Sequence, residues 1–216
     1  MERFTVIPLA AGKQFHPLTE SEVKPVLERL GFKFPYILYI GSLEPRKNLL
    51  RLLEAYNQLL DWSSHWHLVV VGARNIWKSE PLEKFVGEHN LQSHIHFPGY
   101  IPDENLPALY NGADLFVFPS LYEGFGLPVL ESMACGTPVV TSNTSSLPEV
   151  AGDAALLVDP YDVEEIAGAM QLILSDHEFA SDLRSRGLER ARNFTWKKTA
   201  SKTIAVYERL LGKKLL

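Results

Sequence analysis

The sequence predicts an α/β protein built on a doubly wound parallel sheet. From residue 36 onward, short β-branched and aromatic runs alternate with helical patterns of about 10 to 17 residues, which is typical of repeated βαβ units. Several runs are apolar without a break, as in Leu68-Val69-Val70-Val71. Parallel strands covered by helices on both faces have that composition. Right-handed crossovers between such strands place helices on both faces of one sheet.

The individual elements follow from this rhythm. The expected strands are Tyr36–Ile40, His67–Val71, His94–Phe97, Asp114–Phe118, Pro138–Thr141 and Ala155–Val158. The expected helices are Asn48–Asp61, Glu80–Asn90, Glu104–Asn111, Leu127–Cys135, Val163–Leu174, Phe179–Asn193 and Thr195–Leu211. The fourth helix has the clearest ends, because Pro128 suits a first turn and Gly136 suits a left-handed residue at a helix C-terminus.

Residues 1–35 do not continue this rhythm. Phe4–Leu9 could form one short strand, and Pro17, Pro25 and Pro35 interrupt the remainder of the segment. We therefore interpret residues 1–35 as a connecting or hinge segment, and residues 36–216 as the α/β domain with its C-terminal helices.

Composition narrows the classes of function. The 216 residues are 46% hydrophobic and 22% charged, which is the profile of a soluble globular protein with one substantial core. A formal charge of −5 provides no broad positive field, so nucleic acid is not expected as a partner. Cys135 is the only cysteine, so the chain cannot form an internal disulfide, and a buried, inert thiol is expected.

A cytoplasmic location is expected, since no apolar run is long enough to cross a bilayer and no export signal is evident. The last helix leads into the basic residues Arg209, Lys213 and Lys214. These residues could form a solvated helix face or make peripheral contact with a membrane surface.

The loop after the first strand, residues 41–48, has the features of an anion site. Gly41 allows close approach of a ligand to the backbone, and Arg46 and Lys47 open the next helix. An anion there would meet free amides, the positive end of a helix dipole and the ammonium of Lys47, which we expect to be exposed. The alternative is an ordinary solvated helix start.

The loop after the fourth strand suggests a second part of the same site. Gly124 and Gly126 flank Phe125 and leave backbone amides uncovered beside a helix N-terminus. Glu123 lies in this loop and Glu131 lies about one turn inside the helix, so they would meet different parts of one ligand. Ionised carboxylates accept hydrogen bonds from sugar hydroxyls. Glu131 could equally be a charge on the helix surface.

Four further segments carry weaker signals. Phe97–Pro102 could floor a nucleobase pocket or be a plain loop, and Ser142–Ser146 could simply start a helix. His65 with His67, and His94 with His96, alternate on strand-like segments. A metal site is not expected there, because Cys, Asp and Glu are absent at ligand spacing.

These motifs together resemble a known family. Residues 123–131 reproduce an E-x7-E motif and, with Met-Ala-Cys-Gly-Thr-Pro-Val-Val at 133–140, resemble glycosyltransferase family four, whose members have the GT-B fold. Val6-Ile7-Pro8-Leu9 resembles the hinge that leads into the family's C-terminal, Rossmann-like domain. Phe194-Thr195-Trp196 resembles the start of its last helix.

The resemblance implies a nucleotide-diphosphate-sugar donor, transfer with retention of configuration and no metal cofactor. By motif position, Lys47 and Glu123 would be the catalytic residues, Lys47 at the diphosphate and Glu123 at hydroxyls of the transferred sugar. Glu131 would accept from the ribose hydroxyls. The full donor-binding set implied is Gly41, Ser42, Arg46, Lys47, Tyr100, Ile101, Glu123, Gly124, Phe125, Gly126, Leu127 and Glu131. Ser42 stands where many members have arginine.

A GT-B enzyme has two such sandwiches that face each other across a cleft, and the N-terminal one holds the acceptor. This chain therefore resembles one half of such an enzyme. It would be an excised domain, a split subunit or a truncated remnant, inactive without its acceptor domain or partner subunit. Residues 43–48 and 146–150 are most similar to mannosyltransferases of surface-polysaccharide or glycolipid assembly. GDP-mannose is therefore the first expectation for the donor, with UDP-glucose as the rival.

Two functions of other classes are weighed against this one. The first is a non-catalytic nucleotide-binding or interaction module with the same sandwich fold, against which the intact pair Glu123 and Glu131 argues. The second is a flavodoxin-like domain that binds flavin or receives phosphate. It would need an acidic cluster or a phosphate loop after the first strand, whereas residues 41–48 are cationic.

Overall fold

The computed structural model describes residues 4–72, 80–212 and 214 of the chain. Within these ranges, a parallel sheet contains the strands β1 (Tyr36–Ile40), β2 (His67–Val71), β3 (Ile95–Gly99), β4 (Leu115–Phe118), β5 (Val139–Ser142) and β6 (Leu156–Val158). Their order across the sheet is β3-β2-β1-β4-β5-β6, and every adjacent pair is parallel. The predicted fold class is confirmed.

Helices connect and follow these strands. They are α1 (Glu20–Leu30), α2 (Leu49–Trp62), α3 (Glu80–Glu88), α4 (Leu106–Gly112), α5 (Leu127–Cys135), α6 (Leu147–Ala151), α7 (Val163–Ser175), α8 (His177–Arg192) and α9 (Trp196–Leu211), with 3-10 turns at Pro45–Lys47 and Asp103–Asn105. The predicted strands and helices beyond residue 36 are all present, with small shifts at their ends. The short α6 lies where the sequence indicates only a possible helix start.

The core is the sheet itself. All residues of β4 and β5 are buried, as are the first four of β1 and the last four of β2. Helix α2 contacts α3 and α7, whereas α4 contacts α1 and α5, and α5 contacts α8. Because crossovers are right-handed and the strand order reverses between β1 and β4, these two groups cover opposite faces of the sheet.

The point of reversal determines where a ligand can bind. The chain leaves β1 toward β2 on one side and leaves β4 toward β5 on the other, although β1 and β4 are themselves paired. In open parallel sheets, the crevice that binds a ligand lies outside the carboxyl ends of the strands at such a point.

The short strand considered possible at Phe4–Leu9 does not form. This segment carries no secondary structure, and Phe4 and Val6 are 88% and 77% exposed. It runs instead along α9, where the Thr199 hydroxyl donates to the Pro8 carbonyl over 2.7 Å. An exposed segment without a neighbouring strand leaves its amides to water, so it has no reason to form a ladder.

Helix α1 lies where prolines were expected to interrupt regular structure. The backbone amide of Thr19 donates to the Glu22 carboxylate over 2.8 Å, and Gly31 ends the helix with a φ of 82°. Val23 is buried on the side that faces α4. Pro25 removes one backbone donor from the helix, and these end signals with the packing outweigh that loss. The proposed boundary at residue 35 stays a prediction.

The basic end of α9 is only partly described, since Lys213 lies outside the described residues. Arg209 donates to the Thr5 hydroxyl over 3.0 Å, so this cation contacts the N-terminal segment. Across the described ranges, none of the helices has the length and apolarity that crossing a bilayer requires.

One glycine at the end of β2 is predicted to be essential for packing. A Cβ on Gly72 would lie 1.9 Å from the carbonyl oxygen of Gly41, and neither backbone segment can yield without moving a strand end. Gly72→Ala should lower the free energy of unfolding by about 1 to 3 kcal/mol, as measured by urea denaturation.

Gly168→Ala is the matched control. Gly168 lies within α7 with open space around its Cβ position, so the substitution should be neutral or stabilise by up to about 1 kcal/mol. Equal unfolding midpoints for the two variants would contradict the close approach of Gly72 to Gly41.

Candidate donor-binding site

Two loops meet at the carboxyl edge of the sheet. We call residues 41–48 the β1 loop and residues 119–126 the β4 loop. The backbone amide of Leu121 donates to the carbonyl of Arg46 over 2.8 Å, which joins the two loops directly. Pairing of β1 with β4 therefore brings together the two segments that the sequence singled out separately.

An ion pair between Lys47 and Glu123 crosses this junction. Lys47 Nζ lies 2.5 Å from Glu123 Oε1 and 4.8 Å from the centroid of the Phe118 ring. Both side chains of the pair are only 10% exposed. The expectation of an exposed Lys47 at the helix start is therefore wrong: residues 45–47 form a 3-10 turn ahead of α2, and this turn directs Lys47 inward.

Arg46 extends the ion pair toward solvent. Its Nε lies 2.8 Å from Glu44 Oε2, and its Nη1 lies 3.6 Å from Glu123 Oε2. Arg46 holds the pKa of the Glu44 carboxyl below its ordinary value through a hydrogen bond and its charge. The two cations of the β1 loop are thus each matched by a carboxylate, and Glu123 is contacted by both cations.

The N-terminus of α5 presents the features of an anion site. Gly126 precedes the helix with a φ of 104°, a conformation that side chains rarely adopt, and a Cβ there would lie 2.7 Å from Leu147 Cδ2. Within the described part of the chain, the amides of Phe125, Gly126 and Leu127 have no acceptor. Free amides at a helix N-terminus stabilise an anion. Gly124, beside them, is exposed.

Serines after β5 support the β4 loop, a role that the sequence pattern does not reveal. The Ser145 hydroxyl accepts from the Glu123 amide over 3.1 Å. Ser146 Oγ lies 3.0 Å from the carbonyl oxygens of both Glu123 and Phe125. The polar composition of 142–146 is the only signal for this, and it cannot distinguish support of a neighbouring loop from an ordinary helix start.

Glu131 is partly buried in α5 and hydrogen-bonded. The hydroxyl of Tyr110 donates to Glu131 Oε2 over 3.1 Å. Burial raises the pKa of the Glu131 carboxyl above its ordinary value, although the Tyr110 hydrogen bond acts in the opposite direction. The alternative of a freely solvated charge on the helix surface does not fit this environment.

A row of glycines extends the site toward β3. Gly41 follows β1, Gly72 follows β2, and Gly99 is the last residue of β3. The Gly41 amide donates to the Val71 carbonyl, and the Gly72 amide donates to the Gly99 carbonyl. A Cβ would lie 2.9 Å from the Tyr39 hydroxyl at Gly41 and 1.9 Å from the Gly41 carbonyl oxygen at Gly72, so these two glycines permit close packing, whereas a Cβ on Gly99 would meet open space. Tyr100 beyond it is 71% exposed, whereas Ile101 is buried. At the near end, the Ser42 carbonyl accepts from the hydroxyl of Tyr39.

Other titratable groups lie away from this edge. His67 Nδ1 lies 2.9 Å from His96 Nε2 with Phe34 stacked on both rings, and burial lowers the pKa of both histidines. Among the described residues, no three or more His, Cys, Asp or Glu are grouped to hold a metal ion. Cys135 is buried, which raises its thiol pKa to about 12.

Comparison with known proteins identifies the class. The family model described as glycosyl transferases group 1 matches residues 28–190, so the chain belongs to this family. A similar curated protein is the O-antigen chain mannosyltransferase B of Escherichia coli, 41% identical over 97% of this chain. The chain spans 55% of that relative's length.

Two solved structures agree on the fold. Sucrose-phosphate synthase from Thermosynechococcus elongatus is 32% identical with a TM-score of 0.83, covering 95% of this chain and 52% of that one. The C-terminal domain of a glycosyl transferase group 1 family protein from Francisella tularensis is 27% identical with a TM-score of 0.73, covering 85% of this chain and 97% of that one. The GT-B architecture of the domain is thereby supported by structure as well as by sequence.

The burial of Glu131 predicts a pH-dependent effect on stability. Because its pKa is raised in the fold, the ionised carboxylate is less favourable there than in the unfolded chain, and wild-type stability falls as pH rises through the raised pKa. Glu131→Gln keeps an acceptor for Tyr110 and should unfold a few degrees higher near neutral pH.

Thermal unfolding followed by circular dichroism across mildly acidic to neutral pH checks this. The difference between the unfolding midpoints of Glu131→Gln and wild type should close as the medium is acidified below the raised pKa. Glu104→Gln, at an exposed glutamate, should leave the midpoint unchanged. If the difference between the two unfolding midpoints widens on acidification, the pKa of Glu131 is not raised in the fold.

Proposed function

We propose that this chain is the donor-binding half of a retaining glycosyltransferase and that it binds a nucleotide-diphosphate sugar at the crevice between β1 and β4. The observation that carries the proposal is the meeting of Lys47, Glu123 and the free amides of α5 at one edge of the sheet. Membership of the glycosyl transferase group 1 family supports it.

The diphosphate would bind between Lys47 and the start of α5. The ammonium of Lys47 has three donor hydrogens, so it can keep Glu123 as a partner and still donate to a phosphate oxygen. The amides of Phe125, Gly126 and Leu127 and the positive end of the α5 dipole would complete this anion site. The pairing of Lys47 with Glu123 in the free protein holds the ammonium in place before the ligand arrives.

The sugar and ribose would be bound by the two carboxylates. Glu123 lies in the loop and would accept from hydroxyls of the transferred sugar, whereas Glu131 lies deeper along α5 and would accept from the ribose. The nucleoside would lie toward Gly99, which has open space at its Cβ position, with Tyr100 and Ile101 beside it.

Charge development explains how this arrangement would promote transfer. As the glycosidic bond breaks, negative charge accumulates on the leaving diphosphate. Fixed amides and Lys47 would stabilise that charge more strongly in the transition state than in the ground state. Neither carboxylate is assigned as a nucleophile: both orient the donor.

The acceptor would be supplied by another part of the protein. The chain spans about half of the length of the mannosyltransferase it resembles, and it matches nearly the whole of a structure that is itself a C-terminal domain. An N-terminal acceptor domain or a partner subunit would face the crevice. The mannosyltransferase relative supports GDP-mannose as donor, with UDP-glucose as the competing candidate, and an acceptor in polysaccharide or glycolipid assembly.

Calorimetric titration tests the proposal. The purified chain should bind GDP or UDP with a Kd on the order of 0.1 to 1 mM, because only half of the cleft contributes, and should show no transfer of sugar. Lys47→Met keeps the length of the stem beside Phe118 but removes the charge. Nucleoside diphosphate affinity should fall about tenfold or more in this variant, while nucleoside affinity stays unchanged.

The same variant separates binding from stability. Removal of Lys47 leaves Glu123 with only the more distant Arg46, so a loss of about 1 to 3 kcal/mol in unfolding free energy is expected. Arg46→Met is the comparison, and an equal loss of diphosphate binding would assign the phosphate contact to both cations. If Lys47→Met weakens nucleoside and nucleoside diphosphate equally, phosphate is not bound at the β1 loop.

Glu123→Gln should affect donor and product in opposite directions. The amide no longer neutralises Lys47, so a nucleoside diphosphate should bind several-fold more tightly, whereas a full nucleotide sugar loses an ionised acceptor for its hydroxyls. Paired titrations with GDP and GDP-mannose, and with UDP and UDP-glucose, measure the ratio of affinities. A parallel fall for both members of a pair would count against a sugar contact at Glu123.

A further inference from the structure

Asn48 is the last residue of the β1 loop and lies between Lys47 of the ion pair and the start of α2. It is 4% exposed and adopts a left-handed conformation with φ 59° and ψ 30°. Asparagine tolerates this conformation better than most residues with a Cβ. The chain therefore turns sharply after Lys47, and the side chain of Asn48 points into the protein instead of into solvent.

Every hydrogen-bonding group of the Asn48 amide is used. Its Nδ2 donates to the carbonyl of Pro119 over 3.0 Å and to the carbonyl of Pro160 over 2.6 Å. Its Oδ1 accepts from Arg51 Nη1 over 2.9 Å, and the Arg51 guanidinium also lies over the Tyr161 ring. One side chain thus connects the segments that come after β1, β4 and β6.

These contacts continue a series that ends at the ion pair. Asn48 contacts Pro119, the Arg46 carbonyl accepts from Leu121, and Lys47 contacts Glu123. Three consecutive residues of the β1 loop, 46–48, therefore each contact a residue of the β4 loop. Loss of the innermost contact would free Pro119 and let the two loops move apart.

We infer that Asn48 is a positioning residue that sets Lys47 against Glu123 and the N-terminus of α5, and so tunes affinity for the diphosphate of a nucleotide. The diphosphate part rests on the proposed function. Asn48 reaches no ligand itself, because its side chain is enclosed by Pro119, Pro160 and Arg51. It acts through the separation of the two loops.

The chemistry of the site distinguishes asparagine from its substitutes. Glycine accepts the left-handed backbone but has no amide to hold the loops. Aspartate is nearly the same size, yet its ionised carboxylate would face two carbonyl oxygens with no hydrogen to donate. Asn48→Gly therefore removes the connection with the least strain, and it is the variant of choice.

The test uses two measurements on wild type, Asn48→Gly and Asn111→Ala, all confirmed as folded by circular dichroism. Asn111 is the control, since its Nδ2 also donates to two carbonyls, those of His16 and Pro107, but at the amino-end edge of the sheet. The first measurement is calorimetric titration with GDP, UDP and their nucleosides. The second is the rate at which Lys47 is acylated by an amine-reactive ester, followed by mass spectrometry without any ligand.

Asn48→Gly should bind the nucleoside diphosphate about tenfold more weakly with the nucleoside unchanged. Its Lys47 should be acylated about tenfold faster, because the ammonium opens more often to solvent. Asn111→Ala should change the unfolding midpoint alone. If Asn48→Gly also changes only the midpoint, with wild-type acylation at Lys47, Asn48 is structural and the inference is overturned.

The two proposals can fail separately. If the wild type binds neither GDP nor UDP while Asn48→Gly still accelerates acylation of Lys47, the donor site is wrong and the positioning role stands. If the wild type binds GDP or UDP and Asn48→Gly matches it in both affinity and acylation, the positioning role is wrong and the donor site stands.

Discussion

The parallel pairing of β1 with β4 is the constraint on which the rest of the structure depends. Ile37 and Leu38 lie opposite Leu115 and Phe116, and the chain leaves these two strands in opposite directions. The loops after these strands therefore meet at one point, although they are far apart in sequence. That single neighbour relation positions the buried ion pair and brings the β1 loop beside the amides at the start of α5.

The charges at this point are arranged before any ligand binds. Lys47 and Arg46 both contact Glu123, so the cations are held but also partly neutralised. Such pairing reduces the attraction for an anion and limits the reorganisation needed when the anion arrives. A site of this kind favours defined geometry over affinity, which would suit the proposed nucleotide-sugar donor, whose diphosphate would have to leave after transfer.

Much of the fold is predictable from local signals. The strands are apolar without a break, and α5 has Pro128 near its start and Gly136 at its end. These local signals agree with the fold, so the element bounds expected from residue 36 onward are close to those observed. Helix α1 is not predicted because Pro25 disfavours a helix interior, although Thr19 and Gly31 supply signals at its ends. The short strand considered possible at Phe4–Leu9 does not form, since it has no partner strand to pair with.

The sequence indicates which two loops meet at the edge of the sheet, but not the contacts that their residues make. Glycines and charges after the strands indicate the two loops, because loops at strand ends follow from the topology. The burial of Lys47 depends on a 3-10 turn, and the role of Asn48 depends on carbonyls contributed by Pro119 and Pro160. Any residue can supply a backbone carbonyl, so the residue types in the sequence do not indicate such contacts.

Hydrogen–deuterium exchange of the purified chain, with and without saturating GDP or UDP, tests the central claim most directly. Binding across the crevice between β1 and β4 predicts new protection in peptides that contain residues 41–48 and 122–131, with little change in α1 or α8. Protection centred on α1 and α4, or protection that a nucleoside produces equally at the β1 loop, would contradict the account.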